Sequence, residues 1–383
     1  LAEVGLLSPQ DWQNLPAFPQ DRVDYLAVRA FKGLLLRKAF ENFKASGRFQ
    51  AEFESFCCQQ AHWLDDYALF MAVKEAHRGA PWNEWGPELA LRRPEALETA
   101  RQKLAEEILF HKFSQFIFDR QWKALKGYAA EKGLRFIGDI PIYVAYDSAD
   151  VWAHPEFFRL DERGLPTVVA GVPPDYFSPT GQLWGNPIYC WEVLAESGYD
   201  WWIKRFQRVL EYVDVVRVDH FRGFEAYWEV PAGEETAIKG QWVKGPGAEL
   251  FNALKSALGE IPIIAEDLGY ITPEVEALRE QFGFPGMKIL QFAFGSGPDN
   301  PHLPHNYHRN CVVYPGTHDN DTAIGWFSSA SEEVREHFRK YTGTDGREVN
   351  WVMARLAMAS VANLAVIPLQ DILGLGSEAR MNY

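Results

Sequence analysis

Six short apolar runs follow Gly133: RFIGDIPIYV, DVVRVDHF, IPIIAEDLG, MKILQFAF, CVVYPGTHD and ANLAVIPLQ. They constrain the fold of this 383-residue chain more than any other feature. Long segments of loop and helix character separate them. Near-continuous apolar strands alternating with helices predict an α/β fold whose parallel sheet is covered on both faces. A TIM barrel and a doubly wound sheet both meet that description. No GxGxxG or phosphate-loop motif follows any run, which removes the strongest reason for a nucleotide-binding sheet. From about Val23 to Gly133 the character is helical instead. In RQKLAEEILFHKFSQFIFDRQWKALKGYAAEKG, residues Leu104, Ile108, Phe116, Trp122 and Leu125 fall on a roughly helical period and Gly133 is a fitting C-terminal stop, so a core-facing amphipathic helix is expected. The domain reading is therefore a helical part over 1–133 and a strand-bearing part over 134–383 with an insertion over 145–212.

Composition narrows the function. The formal charge of −14 repels a phosphate backbone over most of the surface, so nucleic acid is not an expected partner. Cys57, Cys58, Cys190 and Cys311 include one adjacent pair and no metal-type CxxC spacing, which suits a reducing compartment. LAEVGLLSPQ lacks the basic and apolar blocks of a signal peptide, and no apolar stretch is long enough to span a bilayer. A cytoplasmic protein without membrane partners is expected, and a chain that starts at Leu1 and stops at RMNY reads as a fragment. Oligomeric state is not legible.

Four of the six runs end in carboxylates: Asp139, Asp219, Glu266 and Asp319. In a barrel, catalytic groups come from the C-terminal ends of different strands and converge over one mouth. One acid at a strand end is usually a cap or an ion-pair member, but four in the same structural position point to a site. Arg217 stands two residues before Asp219, on the same strand face, where its guanidinium would keep that carboxylate ionised as a nucleophile requires; the alternative is a self-compensating buried pair. Glu266 follows an apolar strand, a setting that raises a carboxyl pKa and suits a proton donor. Asp267 faces the other way. One ionised and one protonated carboxylate flanking a bond is the minimal apparatus for glycoside cleavage, and Asp319 could hold hydroxyls or stabilise the transition state.

GVPPDYFSPTGQLWGNPIYCW, from Gly171 to Trp191, is far longer than an ordinary connection. It mixes loop formers with Asp175, Tyr176, Phe177, Trp184 and Asn186, the make-up of a sugar groove or of a packed loop anchored by its aromatics. His302, His305 and His308 in HLPHNYH recur at intervals of three. Pro304 breaks helical presentation and no carboxylate or Cys completes the set, so a loop is expected and no metal site.

RVDHFRG, AEDLG, PGTHDND, GDIPIYVAYDSADVWA and GVPPDYFSPTGQLWGNPIY together make the chain similar, from end to end, to the 4-α-glucanotransferases of glycoside hydrolase family 77, the amylomaltases or disproportionating enzymes. The resemblance implies that Asp219 is the nucleophile, Glu266 the acid/base and Asp319 the transition-state stabiliser. It implies further that Arg217 and His318 contact sugar at the cleavage point, that His220 binds substrate, that Asp139 belongs to the first sugar-binding motif, and that Asp175, Tyr176 and Trp184 line the glucan path. The implied fold is a (β/α)₈ barrel with helical insertions that needs no cofactor. Its substrates are α-1,4-glucans and maltooligosaccharides, with glucose as an acceptor. Family members begin with a segment holding the first two strands and continue past MNY, so the six runs correspond to strands three to eight of an incomplete barrel. Two other readings compete: a Mg²⁺-dependent barrel enzyme that abstracts a proton from a carboxylate substrate, and a non-catalytic glucan-binding fragment.

Overall fold

The computed structural model describes residues 1–382 except positions 14, 21, 176 and 177, and only the backbone at position 12. The described residues form ten strands: β1 (Ile137–Ile140), β2 (Val168–Val172), β3 (Gln182–Pro187), β4 (Val215–Val218), β5 (Ala226–Pro231), β6 (Gln241–Lys244), β7 (Ile263–Ala265), β8 (Gly286–Ile289), β9 (Cys311–Tyr314) and β10 (Leu364–Ala365). The chain folds as two compact units. The first comprises Leu1–Leu134, Tyr143–Val193 and Glu229–Gly240, and the second Arg135–Ile142, Leu194–Trp228 and Gln241–Tyr383.

The first unit is mainly helical, with long helices at Tyr25–Ser46, Ala61–Ala76 and Ala105–Glu131. Asp24 caps the first helix by accepting from the Ala27 N–H, and Gly47 ends it in the left-handed region that only glycine enters without strain. Gly133 stops the helix Ala105–Glu131 in the same way, as the sequence predicted, with the Leu134 N–H returning to the Ala129 carbonyl. The face it buries differs from the expected one. Phe116 enters the core as expected, but beside Phe110, Phe113 and Ile117, whereas Leu125 is 48% exposed and Leu104, Ile108 and Trp122 are half-buried. The reason is a phenylalanine cluster: Phe40 and Phe43 from the helix Tyr25–Ser46 and Phe53 and Phe56 from a short helix, Gln50–Gln59, meet Phe113 and Phe116 at centroid separations of 4.9 to 5.8 Å. Burying an aromatic ring is worth about 1.5–3 kcal/mol, so the densest ring contacts fix the helix rotation over a looser aliphatic period.

The segment read as a long loop is partly a β-ribbon. Strands β2 and β3 pair antiparallel, Gly171 opposite Leu183 and Val172 opposite Gln182. A Cβ at Gly171 would stand 2.5 Å from the Gln182 carbonyl oxygen, so the close pairing needs glycine there.

In the second unit the six predicted runs are the six parallel strands. β1, β4 and β7 pair side by side, as do β8, β9 and β10. The Ala265 N–H donates to the Pro285 carbonyl at 2.9 Å, joining the end of β7 to the start of β8. Both faces are covered. Val312 and Tyr314 of β9 pack with Ile264, Met287 and Ile289, while Cys311 and Val313 point the other way, into Leu290, Phe294, Phe338 and Met353. Side chains alternating between two buried faces make a strand apolar throughout, which is why these runs were legible.

Candidate active site

The register of β1 on β4 sets Asp139 opposite Arg217, and that of β4 on β7 sets Val218 opposite Ala265. The next residues, Asp219 and Glu266, therefore leave adjacent strands at the same level. Their backbones continue the ladder: the Asp219 N–H donates to the Ile140 carbonyl and the Glu266 N–H to the Val218 carbonyl, both at 3.0 Å.

Arg217 lies between two carboxylates. Nη1 donates to Asp139 Oδ2 at 2.6 Å and Nη2 stands 2.9 Å from Asp219 Oδ1. Burial opposes its charge, but Asp139, Asp219 and Glu266 outweigh that and hold it firmly protonated. The same-face placement expected from the period of two is present. Burial raises the Asp139 carboxyl above the usual range, and Arg217 opposes the shift.

Glu266 differs from its neighbours. Burial first, and the Asp219 charge second, push its pKa up to about 7, against the pull of Arg217. Oε1 accepts from the Leu268 N–H at 2.9 Å and Oε2 from the His220 N–H at 2.8 Å. Two main-chain donors thus fix the plane of this carboxyl. His220 itself adopts the left-handed conformation, φ 47° and ψ 50°, rare for a residue with a side chain. The residue is half-buried, and desolvation together with Arg222 lowers its pKa to about 3, so it stays neutral.

His318 and Asp319 lie in the turn after β9, which closes where Asn320 Oδ1 accepts from the Thr317 N–H at 2.8 Å. His318 Nε2 stands 3.3 Å from Asp319 Oδ2. Asn382 Nδ2 donates to Asp319 Oδ1 and Arg380 Nη2 to its carbonyl, both at 2.9 Å. Neither was singled out from the sequence, where RMNY offered no periodicity or spacing to mark them.

In the first unit, Asp175 Oδ1 accepts from the Ser178 N–H at 2.7 Å and closes a turn. Trp184 is on β3, 37% exposed, with its ring edge-on to Tyr143 at 6.3 Å. Tyr176 and Phe177 fall outside the described residues. Asn186 is structural here, its Nδ2 donating to the Val144 carbonyl. Of the histidine run, His302 accepts from the Ile289 N–H through Nδ1, and His305 meets Tyr341 Oη and the Pro298 carbonyl. Among the described residues no group of His, Cys, Asp and Glu could hold a metal ion, the four cysteines are free thiols, and no helix is long and apolar enough to cross a membrane.

Parallel strands with carboxylates gathered where they end, two of them paired with one arginine and a third with its pKa pushed up to about 7, define an α/β enzyme able to do acid/base chemistry. Residues 1–383 match the family described as 4-alpha-glucanotransferase. The 4-alpha-glucanotransferases of Thermus thermophilus and of Synechocystis sp. are each 55% identical to this chain over its full length, which spans 78% and 77% of theirs. An amylomaltase from Streptococcus agalactiae, solved in complex with acarbose, superimposes with a TM-score of 0.95 at 41% identity, covering 100% of this chain and 78% of its own. The chain belongs to the 4-alpha-glucanotransferase family and is a glycosyl-transferring enzyme of the amylomaltase type.

Proposed function

We propose that the chain transfers α-1,4-glucan segments by a retaining double displacement, with Asp219 as nucleophile, Glu266 as acid/base and Asp319 as transition-state stabiliser. The observation that carries this reading is the contrast between two carboxylates on adjacent strands, one held by a guanidinium and one with a pKa pushed up to about 7. An Asp219 oxygen bonds to the anomeric carbon as the glycosidic C–O bond breaks. The leaving oxygen takes the bond's electron pair and the Glu266 proton. Glu266, now ionised, removes the proton from an acceptor's 4-hydroxyl, which displaces Asp219 with net retention. Arg217, His318, His220 and Asp139 are assigned to the sugar at the cleavage point, Asp175, Tyr176 and Trp184 to the glucan path. Substrates are α-1,4-glucans and maltooligosaccharides, glucose serves as an acceptor, and the reaction calls for no cofactor.

In this reading the six parallel strands are the third to eighth of a (β/α)₈ barrel. Residues 1–133 are a helical insertion before them and 145–212 an insertion within them, in a cytoplasmic enzyme. A Mg²⁺ centre fits poorly, because Asp139 and Asp219 already face a guanidinium. The test is the product distribution from maltotriose, for which glucose plus oligosaccharides longer than the substrate are expected. Binding without turnover would make the chain a glucan-binding fragment.

A further inference from the structure

Glu266 has an acidic neighbour that the proposed chemistry does not use. Asp267 points to the opposite side of the turn after β7 and its side chain is only 10% exposed. Oδ1 accepts from the Met287 N–H at 2.7 Å, and Oδ2 stands 3.3 Å from Arg279 Nε, whose Nη1 in turn donates to the Phe284 carbonyl at 3.2 Å. The site is cut to fit this carboxylate. A Cβ on Gly286 would come within 2.7 Å of Asp267 Cγ, while the Gly286 backbone is one that any residue adopts. A buried carboxylate is expensive unless paired, so the turn is stable in one arrangement, with Asp267 seated on the start of β8.

That seat bears on Glu266. The Leu268 N–H that holds Glu266 Oε1 belongs to the residue after Asp267, and Ala265, the residue before Glu266, is bonded to Pro285. Asp267 thus fixes one of the two donors that orient the Glu266 carboxyl, the other being the His220 N–H on the neighbouring strand. We infer that Asp267, seated against Gly286 and the Met287 N–H, is a positioning residue that aims the Glu266 proton at the leaving oxygen. The inference rests on the reading of Glu266 as acid/base.

The test compares maltotriose disproportionation with the initial burst of fluoride from α-maltosyl fluoride, whose leaving group needs no proton. In Asp267→Ala and in Gly286→Ala the account expects kcat on maltotriose to fall by roughly 10- to 100-fold with KM little changed and the fluoride burst within about threefold of wild type, the scale set by misplacing a catalytic group by about 1 Å. Asp267→Asn retains an oxygen for the Met287 N–H and should recover most of the maltotriose rate. Equal losses on both substrates, or an unchanged maltotriose rate in a folded Ala variant, would overturn the inference. Should Asp267→Ala not fold, Gly286→Ala carries the same comparison. Glu266→Gln is the control for the underlying reading: if it shows no preference for the fluoride, Glu266 is not the acid. If it does and the Asp267 and Gly286 variants do not, the positioning role alone is wrong.

Discussion

The main-chain N–H of His220 donates to Glu266 Oε2 at 2.8 Å, so the residue after the proposed nucleophile holds the proposed acid/base. The residue that makes this contact is left-handed, with φ 47°, so the turn that carries the donor depends on a conformation that side chains rarely adopt. A β-branched residue enters that region at a cost of about 1–3 kcal/mol, whereas glycine enters it freely. His220→Val should therefore lose far more maltotriose turnover than His220→Gly. Comparing kcat for the two variants decides the point, and equal losses would place the importance of His220 in its ring.

Glu266 supplies a pH dependence with a definite sign. Its folded-state pKa of about 7 lies above the ordinary 4.5, so the proton needed for the first step is present below pH 7 and lost above it. The kcat/KM for maltotriose should fall above about pH 7, while fluoride release from α-maltosyl fluoride should not show that limb. A maltotriose profile flat well beyond that pH would contradict the assignment.

The same shift has a stability consequence. A raised carboxyl pKa means that the folded state binds the proton more tightly, so the cost of ionising Glu266 in place sets in above pH 4.5 and is complete above about 7. Glu266→Gln should thus melt higher relative to wild type at pH 8 than at pH 4, a difference readable by calorimetry. A difference that does not grow with pH would show that this carboxyl ionises without penalty.

Much of this arrangement was legible because of what strands buried on both faces require. IPIIA is apolar throughout and DVVRV is apolar but for Asp214 and Arg217, and the acids that follow them, Glu266 and Asp219, stand out against that background. The ribbon of β2 and β3 was missed because Pro173, Pro174, Gly181 and Gly185 read as loop formers, although a Cβ at Gly181 would strike the Val172 carbonyl oxygen of the paired strand. The helix Ala105–Glu131 was recognised but rotated wrongly, since a one-dimensional period does not show that partner helices present phenylalanines. The backbone donors on Glu266 carry no sequence signature. Nothing in VDH announces a left-handed histidine, and Gly286 lies 19 residues beyond the Asp267 it accommodates.

Trp184 tests the sugar-stacking role proposed for the first unit. The residue is 37% exposed, its ring meets Tyr143 edge-on at 6.3 Å and its Nε1 donates to Gln182 Oε1 at 3.1 Å. Trp184→Ala should weaken maltooligosaccharide binding by about 1 kcal/mol, a several-fold rise in KM, with a small change in melting temperature. A large drop in melting temperature with unchanged kinetics would make Trp184 a structural anchor.

The central claim is that Asp219, held at 2.9 Å by Arg217, forms the covalent bond to the transferred glucan. The most direct measurement is the rate of maltotriose disproportionation by Asp219→Asn, which keeps the shape of the side chain and removes its charge. A retaining mechanism has no way around its nucleophile, so the rate should fall by at least roughly 10³-fold. Activity within tenfold of wild type, at about the scale of a lost hydrogen bond, would contradict the mechanism.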